Sequence, residues 1–338
     1  MKGVKWMNGK ITLAQGSGGK AYRELIQKVF LPAFFNEYLR PLTDSAVCDG
    51  GERIAFTTDS YVIKPLFFPG GDIGRLCVCG TVNDLAVSGA IPKYISVGMI
   101  IEAGFEVKTL VRIANSIAKA AEEAGVIIVT GDTKVVEGGS ADGIFINTAG
   151  VGVFTKERPP VEQKVKLKDK IIISGYMASH GMAIMAARMD MEFKPPIESD
   201  VAPIISLVDS VIKSGCKINA MRDPTRGGVA ATLHEWITPD IDIVIYDEAL
   251  PVRPDVAAAC EILGMDPLYI ANEGIMLLSI PECCADLALK SLHSTPGGEN
   301  AAIIGEVING SGNIYSITEY GTKRRIIVPE GELLPRIC

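Results

Sequence analysis

The sequence predicts a soluble two-domain α/β protein, and three observations carry that expectation. At 338 residues the chain is long enough for two ordinary domains, each with its own core. Its first half alternates short β-branched runs with helical stretches, the pattern of strands backed by helices. Near the middle, TKERPPVEQKVKLKDK (155–170) is charged, proline-bearing and almost free of large core residues, which reads as a linker.

The elements follow in order. GKAYRELIQKVFLPAFF has helical spacing through Leu25 and Val29, with Pro32 marking a bend or an end. RIAFTTD (53–59) is a strand ending in an acid. DIGRLCVCGTVNDLAVSGA (72–90) is a long apolar helix opened by Asp72, with Gly89 near its end. KYISVGMII is a strand, and VKTLVRIANSIAKAAEEAG is an amphipathic helix stopped by Gly125. VIIVTGDTKVV and GIFINTAGVGVFT are strands flanking a Gly/Ser turn. Beyond the linker come IIISG, a helix after SHG, a helix from about Pro203, RDPTRGGVAATLHEW, the strand IDIVIY, the helix PDVAAACEILG, NEGIMLLSI and a β-rich end.

Composition narrows the function. Hydrophobic residues make up 48% and charged ones 22%, and the net charge is −7. With no basic run, nucleic acid is not the expected partner. No apolar run reaches the ~20 residues of a membrane span. The opening MKGVKWMNGKITLAQ lacks a signal-peptide pattern, so a cytoplasmic protein with reduced thiols is expected. Eight cysteines (48, 77, 79, 216, 260, 283, 284, 338) show no zinc spacing. Most of the seven internal ones read as small core residues. The last residue, in ELLPRIC, is the exception, because a frayed chain end is an unusual place for a thiol.

The informative pattern is where the aspartates fall. Asp44, Asp59, Asp84, Asp132 and Asp223 are far apart in sequence but alike in setting, several at strand ends or turns beside small residues. Singly, each reads as a cap or turn residue. Together they suit magnesium, which takes a few carboxylates plus phosphate oxygens. Glycine turns stand at three helix starts, AQGSGGK (14–20), FFPGGDIG (67–74) and TRGGV (225–229), where backbone N–H groups meet anions. None is a Walker or dinucleotide loop. The residues therefore point to an enzyme that handles phosphate and magnesium without a standard P-loop. His180 in ASHG reads as a cap or a phosphate contact, and His234 as packing.

At these residues a resemblance becomes specific. TTDSYVIKPLFFPGGDIGRLCVCGTVNDLAVSGAIPKYISVGMIIE, VTGDTKVVEGGSADGIFINTAGVG, RDPTRGGVAATLHE, ANEG and terminal PRIC together resemble the HypE family of [NiFe]-hydrogenase maturation factors. That family belongs to an ATP-binding superfamily with aminoimidazole ribonucleotide synthetase, selenophosphate synthetase and thiamine-monophosphate kinase. The likeness runs from near residue 12 to the last residue.

The resemblance implies a division into a glycine loop and helix (1–40), an ATP-binding α/β domain (41–155), a linker (156–169), a C-terminal α+β domain (170–329) and a mobile tail (330–338). The first domain would pair with its twin into a barrel-like homodimer core. ATP would lie between the domains, with Mg²⁺ bridging its phosphates to Asp44, Asp59, Asp84 and Asp132. Gly18, Gly19, Thr133, Asp223, Thr225 and Glu273 would line the same cleft. Selenophosphate synthetases commonly carry a cysteine or selenocysteine in the early loop; here it is GSGGK, without sulfur.

The family's substrate carrier is the terminal cysteine, here Cys338. It would take a carbamoyl group from a HypF-type carbamoyltransferase, lose water from that group at the expense of ATP, and pass the resulting cyanide to iron on a HypC–HypD complex. Lys134 is a candidate for the base, an oxygen-polarising group or a phosphate contact, with Glu137 as a second candidate base. GELLPRIC extends at most ~26–29 Å, enough to swing from a partner into its own cleft. A free-substrate kinase or synthetase of the same superfamily would need the cleft but not Cys338. A non-catalytic scaffold would use the tail and the dimer surface to dock partners, and the several carboxylates argue against it.

Overall fold

A computed structural model of the chain describes residues 9–16, 21, 24–40, 48–327 and 337. Gly18, Gly19, Asp44 and Cys338 lie outside the described residues. The early helix does not stop at Pro32. A π-turn over Ile26–Phe30, closed by Leu31 N–H to the Ile26 carbonyl, leads into the short helix α1 (Leu31–Phe34). Pro32 then stands in the first turn of α1, where its missing N–H costs nothing.

The first domain is one four-stranded sheet in the order β1-β6-β4-β5, built from β1 (Ile54–Tyr61), β4 (Ile91–Glu102), β5 (Ile127–Val136) and β6 (Ile144–Val153). Only β4 and β5 run parallel. A minimal hairpin, β2 (Phe67–Phe68) and β3 (Gly71–Asp72), carries the chain from β1 into α2 (Ile73–Val87). The helix α3 (Val107–Ala124) lies beside α2 and ends at Gly125 in the left-handed conformation, φ 68°.

α2 buries residues on every side, as its all-round apolar sequence requires. It is sandwiched between the sheet, α3 and the second domain, which it meets at α5 (Ile205–Lys213) and β8 (Ala220–Arg222). The opposite face of the sheet is open. Strand alternation leaves Ile54, Phe56 and Ile100 there, 55%, 68% and 44% exposed.

The second domain holds a seven-stranded sheet in the order β13-β12-β9-β11-β7-β10-β8. Its strands are β7 (Asp169–Ile173), β8, β9 (Ile241–Tyr246), β10 (Leu277–Pro281), β11 (Ala302–Asn309), β12 (Ile314–Ile317) and β13 (Lys323–Ile326). The run III in β7 is apolar throughout because both faces of this sheet are covered. Ile171 and Ile173 join a core with Val229, Leu233 and Trp236 of α6 (Gly228–Trp236). Ile172 joins another with Leu207 and Val208 of α5 and with Ala288 and Leu292 of α8 (Glu282–His293). Two further helices, α4 (Ser179–Arg188) and α7 (Pro254–Leu263), pack together in the core shared with the first domain.

The segment read as a linker is largely without regular structure, yet it is pinned. Arg158 is buried, donates to the carbonyls of Gly89 (2.7 Å) and Ala90 (3.1 Å) and pairs with Asp209 of α5. Gln163 bridges the Val87 carbonyl and the Met221 N–H, each at 3.0 Å. It straps α2 to the second domain.

These burials predict unequal mutational costs. Leu76→Ala, at a fully buried position of α2, lowers stability by about 2–5 kcal/mol. Phe56→Ala on the open face changes the isolated chain by about 1 kcal/mol or less. Urea unfolding midpoints of the two variants check the contrast.

Candidate active site at the domain junction

The site is built where α2 faces the second domain. Asp59 stands near the end of β1 and points to the helix side of the sheet. Its carboxylate accepts from Tyr61 O–H (3.2 Å) and pairs with Arg226 at 3.3 Å. Asp84 on α2 accepts from Thr57 Oγ1 at 2.8 Å, which orients it toward the same strand. Asp223 and Thr225 come from the turn before α6, and Glu273 from the loop before β10.

Asp59, Asp84, Asp223 and Glu273 feel one another's charge. Burial raises Asp84 above the ordinary aspartate range, with Asp59 adding to the rise. Burial and the charge of Asp84 push Asp223 up to about 7. Glu273 is almost wholly buried, and its burial, then Asp223, Asp200, Asp59 and Asp84, hold it well above the usual carboxylate range. Arg222 and Arg226 offset part of this crowding at Asp84. Such a cluster is short of positive charge, the condition in which a cation or cationic complex binds.

Buried amides hold the cluster together. Asn83, next to Asp84, donates to the carbonyls of Ala202 (3.0 Å) and Glu273 (3.1 Å) and accepts from Ile204 N–H at 2.9 Å. Asn272 accepts from Ala178 N–H at 2.6 Å and donates to the carbonyls of Pro224 (2.9 Å) and Ile270 (3.0 Å). Asp200 accepts from the N–H groups of Glu273 (3.1 Å) and Gly274 (3.0 Å). Burial pushes Asp200 up to about 6, against the pull of those N–H groups and that of His180. Asn83, Asn272 and Asp200 were not among the sequence candidates. The only signal for them is adjacency to Asp84, to Glu273 and to a stretch of otherwise ordinary loop.

Other expected residues stand elsewhere. Register links Asp132 to Gly98, Asn147 and Ser60 across the sheet, the face opposite to Asp59 and Thr148. Lys134 shares that open face and is exposed, so neither joins the acid cluster within one chain. Thr133 points to the helix side and is buried. Glu137 is exposed in the turn after β5.

The glycine turns divide. In FFPGGDIG the Asp72 carboxylate takes the N–H groups of Gly74 (2.7 Å) and Arg75 (3.1 Å), so the helix start is already capped. In TRGG both glycines are left-handed, with φ 74° at Gly227 and 61° at Gly228. A Cβ at Gly228 would lie 2.6 Å from the Ile270 carbonyl, which is why the α6 start can approach the loop that leads to Glu273.

His180 corrects the sequence reading. It lies in the first turn of α4, fully buried, with Nδ1 at 2.8 Å from Ser199 Oγ and Nε2 at 2.8 Å from the Ile337 carbonyl. Both ring nitrogens are engaged, which leaves neither a capping nor a phosphate-binding nitrogen. Burial pushes it down to about 4, so the ring is neutral. His234 bonds the Ala230 carbonyl one helical turn back at 2.8 Å, as expected of a packing residue. Cys77, Cys79, Cys216 and Cys260 are buried, Cys283 is exposed, and Cys48 and Cys284 lie between.

Comparison with known proteins places the two halves. The AIR synthase related N-terminal domain matches residues 42–154, and its C-terminal counterpart matches residues 168–317. The carbamoyl dehydratase HypE of Rhizobium leguminosarum bv. viciae is 47% identical over 335 residues, spanning 98% of this chain and 96% of that protein. A crystal structure of hydrogenase maturation protein HypE in complex with ATP superposes with a TM-score of 0.92 at 42% identity, over 97% of this chain and 99% of that one. The structure of a HypE–HypF complex matches with a TM-score of 0.78 at 47% identity, over 90% of this chain and 99% of that one.

The cluster predicts a pH dependence of the ligand-free protein. Below about pH 4, folded and unfolded chains both hold the Asp223 and Asp200 protons, and there is no penalty. As pH rises toward 7 the unfolded chain releases them first, so stability falls through that window. Unfolding midpoints at pH 5 and pH 7.5 should show the fall, and Asp223→Asn should flatten part of it.

Proposed function

Because the chain belongs to the AIR synthase related family and, within it, to the HypE carbamoyl dehydratases, we propose that it dehydrates a carbamoyl group on its own Cys338 in hydrogenase maturation, using ATP. One observation carries the reading to this chain. Ile337, the neighbour of the terminal thiol, is 3% exposed and bonded to His180 at the junction that holds the acid cluster. The residue next to Cys338 is thus held beside the cleft.

The dehydration balances without an outside reductant. The Cys338 thiolate receives a carbamoyl group from a HypF-type carbamoyltransferase and becomes a thiocarbamate. ATP phosphorylates the carbamoyl oxygen, which leaves as phosphate while the two N–H protons are removed. ADP, phosphate and a protein thiocyanate result; passing the cyanide to iron on a HypC–HypD complex breaks the S–C bond, takes two electrons that the iron-carrying complex would supply, and returns the Cys338 thiolate. Cysteine suits the carrier role because its thiolate is strongly nucleophilic.

The carboxylates divide the remaining work. Asp59, Asp84 and Asp223 are the groups that would hold Mg²⁺ and the nucleotide phosphates, together with Asp44, Gly18, Gly19 and Thr225. Among the described residues no group of three His, Cys, Asp or Glu side chains is arranged to hold a metal ion by itself. Magnesium, when bound, supplies neutralisation of phosphate charge. Glu273 lies in the cluster, unlike Lys134 and Glu137, and would take an N–H proton once a bound cation has offset the neighbouring carboxylates that hold its own proton in the ligand-free chain.

The open sheet face gives the second assembly. Ile54, Phe56 and Ile100 form an exposed apolar face that a twin subunit would cover, giving the barrel-like dimer. Asp132 and Lys134 then lie along the seam between subunits. Among the described residues no helix is long and apolar enough to cross a membrane.

Intact mass after incubation with the carbamoyltransferase and its substrates tests the carrier. Wild type should gain a carbamoyl increment that loses one water only with ATP, and Cys338→Ala should gain nothing. ATP consumption with no change at Cys338 would point instead to a free substrate. Glu273→Gln should slow the water loss about 100-fold or more while carbamoylation persists. Phe56→Asp should turn a dimer into a monomer in analytical ultracentrifugation.

A further inference from the structure

Resting on the carrier reading above, we infer that His180 is the positioning residue for the tail: oriented by Ser199, its ring binds the Ile337 carbonyl and fixes where Cys338 enters the cleft. The hydrogen-bond chemistry allows one arrangement. A carbonyl oxygen only accepts, so the Nε2 that lies 2.8 Å from it carries the ring hydrogen. Nδ1 is then an acceptor and takes the Ser199 hydroxyl hydrogen at 2.8 Å. The Ser199 oxygen in turn accepts from Val201 N–H at 3.1 Å, so its own hydrogen stays directed at the ring. Burial keeps the imidazole uncharged near neutral pH, which preserves this single tautomer.

The dock is held from both domains. The Phe68 ring meets the imidazole edge-on, with centroids 5.6 Å apart. Ser199 N–H bonds the Pro69 carbonyl at 2.9 Å. Two residues before His180, Ala178 adopts φ 70°, uncommon for a residue with a side chain, and Asn272 secures it through its N–H. Asn272 precedes Glu273, and Asp200 follows Ser199 and caps the Glu273 and Gly274 N–H groups. The same short segments therefore hold the tail and the acid cluster.

A fixed Ile337 carbonyl fixes the peptide plane that carries residue 338. Holding Ile337 at the junction reduces the conformational freedom that a carbamoyl group on the next residue has to lose before it reacts. His180 touches no reacting atom in this arrangement and acts through the tail.

The test uses the full-length protein, carbamoylated by the transferase and then given ATP, with the single-turnover water loss followed by intact mass. His180→Ala should slow the water loss about ten- to a hundredfold and leave carbamoylation of Cys338 at the wild-type rate. His180→Gln, which retains an N–H donor, should recover part of the loss, and Ser199→Ala should fall between. Water loss at the wild-type rate in His180→Ala would overturn the inference, as would equal slowing of both steps.

A second arm needs no turnover. Ring ¹⁵N shifts of His180 should report the Nε2–H tautomer in wild type and a changed tautomer balance in Ile337→Glu, whose tail cannot dock. Unchanged shifts would overturn the inference even with His180→Ala lost to misfolding. Failure of wild type to lose water, with the shifts changing as expected, would reject the carrier reading and keep the dock.

Discussion

Asn83 sits where the two domains have to agree. Burying an amide is costly unless all its groups are paired, and this one is paired only when the segments at 202–204 and 272–274 both reach α2. The position of the Glu273 backbone is thus set by a side chain of the first domain. The next residue along the helix, Asp84, turns toward β1 and Thr57. One turn of one helix therefore holds the second domain with one residue and contributes a carboxylate to the cleft with the next. Arg158 and Gln163 reinforce the same junction from the connecting strap.

With the junction fixed, the crowding of carboxyl groups follows. A fold selected for stability alone would not gather Asp59, Asp84, Asp223 and Glu273 with so little compensating charge, since Asp59 raises the proton affinity of Asp84, and Asp59 and Asp84 raise that of Asp223 and Glu273. The cost belongs to the ligand-free state, and a phosphate-bearing ligand with its cation returns it on binding. Ala178, left-handed at the start of α4, is a smaller cost of the same kind at the same place. Ile337 arrives at this junction from a distant part of the chain and is bonded there to His180.

Much of this was legible in the sequence because it is local. The caps at Asp72 and Gly125, the apolar helix of 72–90, the strands of the first domain and the break near 155–170 depend on neighbours within a few residues. Asp59, Asp84, Asp223 and Glu273 could be named from their motifs. What sequence spacing did not carry was sidedness. Asp132 and Lys134 share a motif with Thr133, yet alternation along β5 puts them on the open face and Thr133 on the other.

The sequence by itself determined the elements and the acid and glycine motifs, because each is written in a short stretch of residue types. Only the tertiary structure decided that Asn83, Asn272 and Asp200 hold the segments around the acid cluster and that both ring nitrogens of His180 are engaged, by Ser199 and by the Ile337 carbonyl. Their partners lie 73 to 190 residues away in the case of Asp200 and Asn83 bonding to Glu273, and 157 residues away for His180 and Ile337. A hydrogen bond across such separations depends on how whole layers pack, and no local pattern of residue types encodes it.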